Sequence, residues 1–454
     1  MHFGYEPLLC ISPIDGRYHN NTSELKNFFS EYAYIKYRLL VEIQYLLHFL
    51  QFSNNKYYSE ETKEYIHSVF MKINTNFDLD ECKKIKRMEK ITKHDVKAIE
   101  YYIRDKFDEL NLSKLKPYIH FGITSQDINS VAHMLSIKDV IYSSYLPRIE
   151  TIKLLMEDLS QKNKDIPMLS RTHGQPASPT TLGKEIFVFV YRLCYEIETL
   201  QDIKYRCKFG GATGNWNAHK VSYPQLDWTI FGDTFIKKLG LIRNKYTTQI
   251  SNYDELACLL DNLKRINTIL IDFSTDIWHY ISLNYFKQKR EVGEIGSSTM
   301  PHKVNPIDFE NCEGNLIICC SLIECFSRKL PISRLQRDLS DSTILRNIGT
   351  IFGYIMVALN SLFSGLQKLE TNSECIKYDL QNNNSVILEG IQTILRREEY
   401  ENAYEITNGL CDGNNNISSE KLKQFIETLE VNDEVKEELL NINVFNYIGY
   451  SDRI

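Results

Sequence analysis

Apolar residues recur along this chain at helical spacing. The clearest stretch sets Leu259, Leu263, Ile266, Leu270, Phe273, Ile277 and Tyr280 in alternating steps of four and three. That is the seam by which long helices pack side by side at a shallow angle. Asp261, Lys264, Arg265 and Asp272 fall off the seam. The pattern predicts one helix over residues 253–285, about 48 Å long at roughly 1.5 Å per residue. Such a helix needs partners of similar length, so a long bundle is its natural setting. Further long helices are expected over 23–51, 127–162 (kinked at Pro147), 180–204, 306–328 and 340–368, with shorter ones over 385–397, 418–429 and 433–440. Polar runs at 382–384 and 413–416 read as solvent loops. The expected fold class is therefore all-α in three parts. These are an N-terminal helical domain over 1–123, a central long-helix bundle over 124–366, and a C-terminal helical domain over 367–454.

Composition supports long helices. The 454 residues include only 20 Gly and 11 Pro, together about 7% of the chain, against roughly 12% in an average protein. Apolar residues make up 43% and charged residues 25%, a globular balance. A net charge of −6 gives no basic footprint for nucleic acid. The longest uncharged run, 347–367, is long enough to cross a bilayer. It carries Asn347, Thr350, Asn360, Ser361 and Ser364, and reads as a buried helix rather than a membrane span. Residues 1–17 show no basic segment followed by an apolar one, so no secretory signal is expected. The 11 cysteines form no paired metal-ligand spacing and read as reduced, mostly buried thiols of a cytoplasmic protein.

Four segments place small, polar and special residues where a helical bundle has no use for them. The first is Gly293-Glu-Ile-Gly-Ser-Ser-Thr-Met-Pro-His-Lys-Val-Asn-Pro306. Its glycines and prolines stop a helix, and Ser297, Ser298, His302, Lys303 and Asn305 supply donors and a charge. It is either an ordinary connection or a loop that closes over a ligand. Pro306 can start a following helix whose free N–H groups would face an anion. The second is Ser170-Arg-Thr-His-Gly-Gln-Pro176, where His173 sits among polar residues rather than on an apolar stripe. Taken alone, such a histidine is more often structural than catalytic. The third is Thr92-Lys-His-Asp-Val-Lys97, and the fourth Gly122-Ile-Thr-Ser-Gln-Asp127. Thr124 and Ser125 can cap a helix or bind a carboxylate there. No zinc spacing, phosphate-binding glycine loop or nucleophile-elbow motif occurs, so neither a metal site nor another cofactor is expected.

Gly296-Ser-Ser-Thr-Met-Pro-His-Lys-Val-Asn-Pro306 resembles the signature loop of the fumarase, aspartase and argininosuccinate lyase superfamily. Other segments resemble its adenylosuccinate lyase family. They are Ser12-Pro-Ile-Asp-Gly-Arg-Tyr18, Lys93-His-Asp-Val-Lys-Ala98, His120-Phe-Gly-Ile-Thr-Ser-Gln-Asp127, Ser170-Arg-Thr-His-Gly-Gln-Pro176, Tyr246-Thr-Thr-Gln249, Arg334-Leu-Gln-Arg-Asp338 and Ser340-Asp-Ser-Thr-Ile-Leu-Arg346. The likeness runs from Ser12 to about Gly449. It implies a homotetramer whose central bundle pools five helices from each subunit, about twenty in all. Active sites would be shared between subunits.

The resemblance implies β-elimination of fumarate from adenylosuccinate to leave AMP, and from SAICAR to leave AICAR, in purine synthesis. It makes Ser297 the base and His173 the acid, although the adjacent Ser298 could exchange roles with Ser297. Arg17, Arg337 and Arg346, helped by Tyr18 and Ser342, would bind phosphate and carboxylate. Taken as bare sequence, the basic run 328–346 could equally be a solvated face. Thr124, Ser125, Lys303 and Asn305 would hold the succinyl carboxylates, while Gln249, Thr92, Lys93, His94 and Asp95 meet the nucleotide. His94 would support either the phosphate or His173, and Glu310 would orient a catalytic histidine. Lys93 stands where Asn is common in the family, and Gly210-Gly-Ala-Thr-Gly214 varies a usual Asn-Gly-Ala-x-Gly. The alternatives are another lyase of the superfamily, such as argininosuccinate lyase, or an inert scaffold built on the same fold. Arg17-Tyr18, Gln249 and the 337–346 segment suit a nucleotide monophosphate, and an inert scaffold has no need of Ser297 and His173.

Overall fold

The computed structural model describes residues 6–290, 293, 299–410 and 417–454. Ser297 and Ser298, with Gly296 and the expected loop at 413–416, lie outside the described residues. Helices dominate, and the described strands form three two-stranded pairs. The chain divides into two compact units. The first comprises Met1–Ile149, Ile197–Asn267 and Asn315–Ala358, and the second Glu150–Glu196, Thr268–Gly314 and Leu359–Ile454. The divisions fall inside five helices: Leu146–Lys162, Leu182–Asp202, Asp254–Ser282, Ile307–Lys329 and Ile348–Lys368.

The seam lies where its spacing put it. Leu259, Leu263, Ile266, Leu270, Phe273 and Ile277 are buried along the helix Asp254–Ser282, while Arg265 and Asp272 face outward. This helix has 29 residues, so it is about 44 Å long. The uncharged run forms the helix Ile348–Lys368, and Ile351, Phe352, Ile355, Met356, Leu359 and Leu362 on it are buried. With the turns before it, the stretch Ser340–Lys368 is long and apolar enough to cross a membrane by length and composition alone, but 67% of its most apolar window is buried in the protein.

Two expected helices are broken, each by a polar residue with a local partner. The stretch 23–51 divides at Ser30, whose backbone is extended and whose Oγ accepts the Ala33 N–H to start Glu31–Phe52. The stretch 340–368 tightens at residues 346–347, where Asn347 N–H bonds to Ile344 O and Thr350 N–H to Asn347 O over three residues. Just before Pro147, where a kink is expected, the helix widens into a π-type turn over Ile141–Tyr145. In place of a helix start at 180, the second unit has an antiparallel hairpin of Pro167–Thr172 and Gln175–Thr181, bulged between Met168 and Ser170.

The first unit holds a dense aromatic core. Tyr45, Phe49, Phe209, Phe231 and Phe235 are buried together, with ring centroids 4.9 to 6.4 Å apart. The second unit packs a separate apolar cluster from its C-terminal helices, built on Leu380, Ile391, Leu395, Ile417, Ile426 and Leu439.

Candidate active site

Most of the expected site residues that belong to the first unit are brought together there. Thr92 ends the helix Leu79–Thr92, and Lys93 closes it in the left-handed region at φ 56°. His94 then caps the next helix, Asp95–Glu109, with Nδ1 accepting the Lys97 N–H at 3.1 Å. That bond requires an unprotonated Nδ1, so in the neutral ring the proton sits on Nε2. Nε2 lies 3.5 Å from Ser125 Oγ. Asp95 pairs with Arg38 at 3.0 Å. Burial pushes the Asp95 carboxyl up, but Arg38 and the Val96 N–H outweigh it, and the group sits below its usual value.

Thr124 and Asp127 form a capping box at the start of the helix Ser125–Val140. Asp127 does more than cap. It is fully buried and accepts from Lys208 Nζ at 2.7 Å, Gly210 N–H at 2.7 Å, Gly211 N–H at 3.1 Å and Thr124 N–H at 2.9 Å. Burial lowers the Lys208 ammonium pKa, against the pull of Asp127. The Gly210–Gly214 turn thus serves as a backbone donor to the motif carboxylate. Arg337 reaches the same segment. With the Gln126 amide oxygen turned toward it, its guanidinium donates bonds of 2.8 and 3.1 Å, and it lies 3.5 Å from Ser342 Oγ. Gln249 N–H bonds to Gln336 O at 3.2 Å, which sets Gln249 beside Arg337.

Arg346 opens on a cavity of about 410 Å³ with Ser12, Asp15, His19, Lys26 and Thr350. Arg17 and Tyr18 belong to the segment that walls this cavity but do not line it. His94, Ser125, Arg337 and Ser342 therefore form one group, and Arg346 faces an adjacent cavity.

The second unit carries the expected acid. His173 and Gly174 make the two-residue tip of the hairpin, with φ of 54° and 76°. His173 is exposed, and its side chain makes no hydrogen bond among the described residues. Lys303 and Asn305 lie on the described end of the signature loop. Arg290 holds that end through the carbonyls of Pro301 and Lys303 at 3.0 and 3.1 Å, and Gln288 through that of Val304 at 3.2 Å. Gly293 has φ 91°, a value suited to a loop that glycine alone enters freely. Pro306 precedes the helix Ile307–Lys329, as expected. Glu310 accepts from the Trp278 indole at 3.1 Å; within the described residues it meets no histidine.

Sequence reasoning passed over Arg38, Gln126, Lys208 and Glu42. Glu42 is buried and bonds His120 Nδ1 at 2.6 Å. Burial depresses the His120 pKa, yet the Glu42 charge and hydrogen bond, with the charges of Glu100 and Asp127, together outweigh it and raise the ring. The available signal was a charge inside an apolar stripe, as at Arg38 and Glu42 in Glu31–Phe52 and at Lys208 before a glycine pair.

Known proteins resemble this chain over nearly all its length. A family described as a lyase matches residues 16–321, and one described as adenylosuccinate lyase C-terminal matches 333–448. The chain is 50% identical over 450 residues to an adenylosuccinate lyase of Dictyostelium discoideum, covering 97% of each. It is 45% identical over 454 residues to that of Legionella pneumophila strain Corby, covering 98% of each. With the Escherichia coli K12 enzyme of the same name it shares 42% over 446 residues, covering 97% of each. Among solved structures, a fumarate lyase from Mesorhizobium sp. BNC1 superposes with TM-score 0.73 at 17% identity, covering 95% of this chain and 96% of that one. The 3-carboxy-cis,cis-muconate lactonizing enzyme from Pseudomonas putida gives 0.74 at 17%, covering 95% of each. At that identity the likeness is one of fold, and the fold is the expected helical lyase type.

Proposed function

The chain belongs to the adenylosuccinate lyase family, and on that premise we propose that it eliminates fumarate from adenylosuccinate to leave AMP and from SAICAR to leave AICAR. What carries the reading is identity of 42 to 50% over 97 to 98% of the chain. The grouping of His94, Ser125, Arg337 and Ser342 supports it, since a substrate with one phosphate and two carboxylates needs several donors in one place.

The elimination asks for three things. A base removes a weakly acidic proton beside a carboxylate, donors stabilise the carbanion, and an acid protonates the departing nitrogen. Ser297 is proposed as the base and His173 as the acid. A serine is a poor base in water, so Ser297 needs a closed, electropositive setting. Lys303 and the start of the helix Ile307–Lys329 supply charge of the right sign. Arg17, Arg337 and Arg346 bind phosphate and carboxylate in this scheme, and Thr124, Ser125 and Asn305 hold the succinyl group.

The proposal includes a three-part subunit, a homotetramer and active sites shared between subunits. Apolar side chains exposed on the long helices support assembly. Val188 and Tyr191, three residues apart, are 41% and 71% exposed, and Ile317 is 50% exposed. It also places the protein in the cytoplasm, since all ten described cysteines are free thiols.

The test is fumarate release from adenylosuccinate, argininosuccinate, malate and aspartate separately. It uses wild type, Ser297→Ala, His173→Ala, and the two variants mixed under subunit exchange. Release from adenylosuccinate alone is expected, lowered at least roughly 10²-fold in each variant, with partial recovery in the mixture. Release from another substrate overturns the nucleotide reading. Near-normal turnover in a variant removes that residue's role, and no recovery in verified mixed tetramers counts against shared sites.

A further inference from the structure

The hairpin that carries His173 is fixed to the second unit by two carboxylates. Arg171, two residues before His173, donates Nη2 to Asp379 Oδ2 at 2.5 Å and Nη1 to the Tyr285 hydroxyl at 3.0 Å. The Tyr285 hydroxyl in turn donates to the same Asp379 oxygen. Asp379 stands on the helix Ser373–Gln381, and Tyr285 is buried. The return strand has its own anchor, the Ser178 hydroxyl donating to Glu389 on Leu388–Arg397. Glu389 also accepts from Tyr447 at 2.9 Å.

Packing holds the root of the hairpin, where Leu169 joins the apolar cluster of the second unit and Met168 is buried, but supplies little toward the tip. The first residues of the return strand border a cavity of about 550 Å³ that Glu389, Gln392 and Tyr404 close on the opposite side. Residues 171–176 are all exposed, and a side chain placed at Gly174 would meet nothing within 4 Å. A two-stranded ribbon with one open side bends easily, and its tip amplifies any change at its root. A charged, doubly bonded contact two residues from the tip is the element that limits that motion.

We propose that Asp379, through Arg171 and Tyr285, is a positioning residue that sets the height and direction of the His173 imidazole for proton donation to the leaving nitrogen. The inference rests on His173 being the acid. Asp379 touches no reacting atom. Its loss displaces the acid while leaving the binding residues of the first unit in place, so it acts on turnover rather than on substrate affinity. A misplacement of about 1 Å costs up to roughly 10²-fold in rate.

The test compares Asp379→Asn, Tyr285→Phe, His173→Ala and the double variant His173→Ala/Asp379→Asn in the intact protein, reading kcat, KM and thermal midpoint. Asp379→Asn is expected to lower kcat about 10- to 100-fold with KM within about twofold. Tyr285→Phe keeps the ion pair and should lose less. The double variant should match His173→Ala alone, because both changes act through one group. Should Asp379→Asn fail to fold, Tyr285→Phe against the double variant His173→Ala/Tyr285→Phe carries the same comparison. If Asp379→Asn turns over within twofold of wild type while His173→Ala is inactive, the positioning role is overturned and the acid stands. If His173→Ala itself is near normal, the acid assignment has failed first. Losses that multiply in the double variant also overturn the proposal, since Asp379 would then act independently of His173.

Discussion

Asp127 in the first unit and Asp379 in the second both tie a motif segment to its surroundings, but in opposite environments. Asp127 and Lys208 have no exposed side-chain surface, and backbone N–H groups at Thr124, Gly210 and Gly211 complete the coordination of the carboxylate. Arg171 and Asp379 keep 28% and 25% of their side-chain surface in solvent. A buried charge that loses its partner has no water to turn to, whereas a half-exposed one rehydrates. The first node is therefore bound up with stability, and the second with the placement of one hairpin. The two nodes give the molecule a rigid donor cluster and a separately anchored hairpin, the one that carries the proposed acid His173.

The sharpest way to break that contrast is to remove each carboxylate in turn. Asp127→Ala leaves the buried Lys208 ammonium without its counter-charge, with only the Gly211 carbonyl to accept from it, and takes the acceptor from the Thr124, Gly210 and Gly211 N–H groups; it should cost about 3 to 5 kcal/mol. Denaturant unfolding at neutral pH reads it directly. Asp379→Asn should cost no more than about 1 kcal/mol in the same measurement. Equal losses at the two sites would show that exposure does not separate them.

Neither node was visible in the sequence, although much around them was. The seam of Leu259 to Tyr280 announced its helix, because one apolar face repeated over several turns admits few other structures. The motif segments stood out by interrupting such faces with small and polar residues. What could not be read was pairing at a distance. Asp127 and Lys208 lie 81 positions apart and Arg171 and Asp379 lie 208 apart, and no local pattern links them. The hairpin was missed for a related reason: its strands are short and half exposed, so a period of two never had room to declare itself. Ser30 shows the limit on boundaries, since a single capping hydroxyl divided an apolar stretch that otherwise read as continuous.

Histidines sharpen the comparison through pH. His219 is fully buried, its ring packed where a side chain at Gly122 would stand and its Nε2 3.1 Å from the Tyr45 hydroxyl. Burial lowers its pKa to about 4, against a smaller upward pull from Asp127. Burial also lowers His48 to about 4 and His133 to about 3. All three belong to the first unit. A folded-state pKa below the unfolded value of 6.5 means that the unfolded chain takes up the proton first. Their contribution is complete above pH 6.5 and is lost as pH falls toward 4. For His219 this amounts to about 3 kcal/mol. His219→Gln should flatten that part of the profile of unfolding free energy against pH. A variant as steep as wild type would remove His219 from the account.

The smallest effect separates two glycines with nearly the same backbone. Gly214, below the Asp127 node, has φ 81°, and a side chain there would come within 2.3 Å of the Thr247 carbonyl. Gly174, at the hairpin tip, has φ 76° and open space around it. At Gly174 the only obstacle is the left-handed conformation, which costs an alanine about 1 to 2 kcal/mol and an asparagine less. Gly174→Asn should therefore recover most of the stability that Gly174→Ala loses. At Gly214 asparagine should fare no better than alanine, because the Thr247 carbonyl blocks both. Thermal unfolding of the four variants decides it. An asparagine that rescues both sites, or neither, would mean that backbone conformation and steric contact do not divide between the rigid node and the free tip in this way.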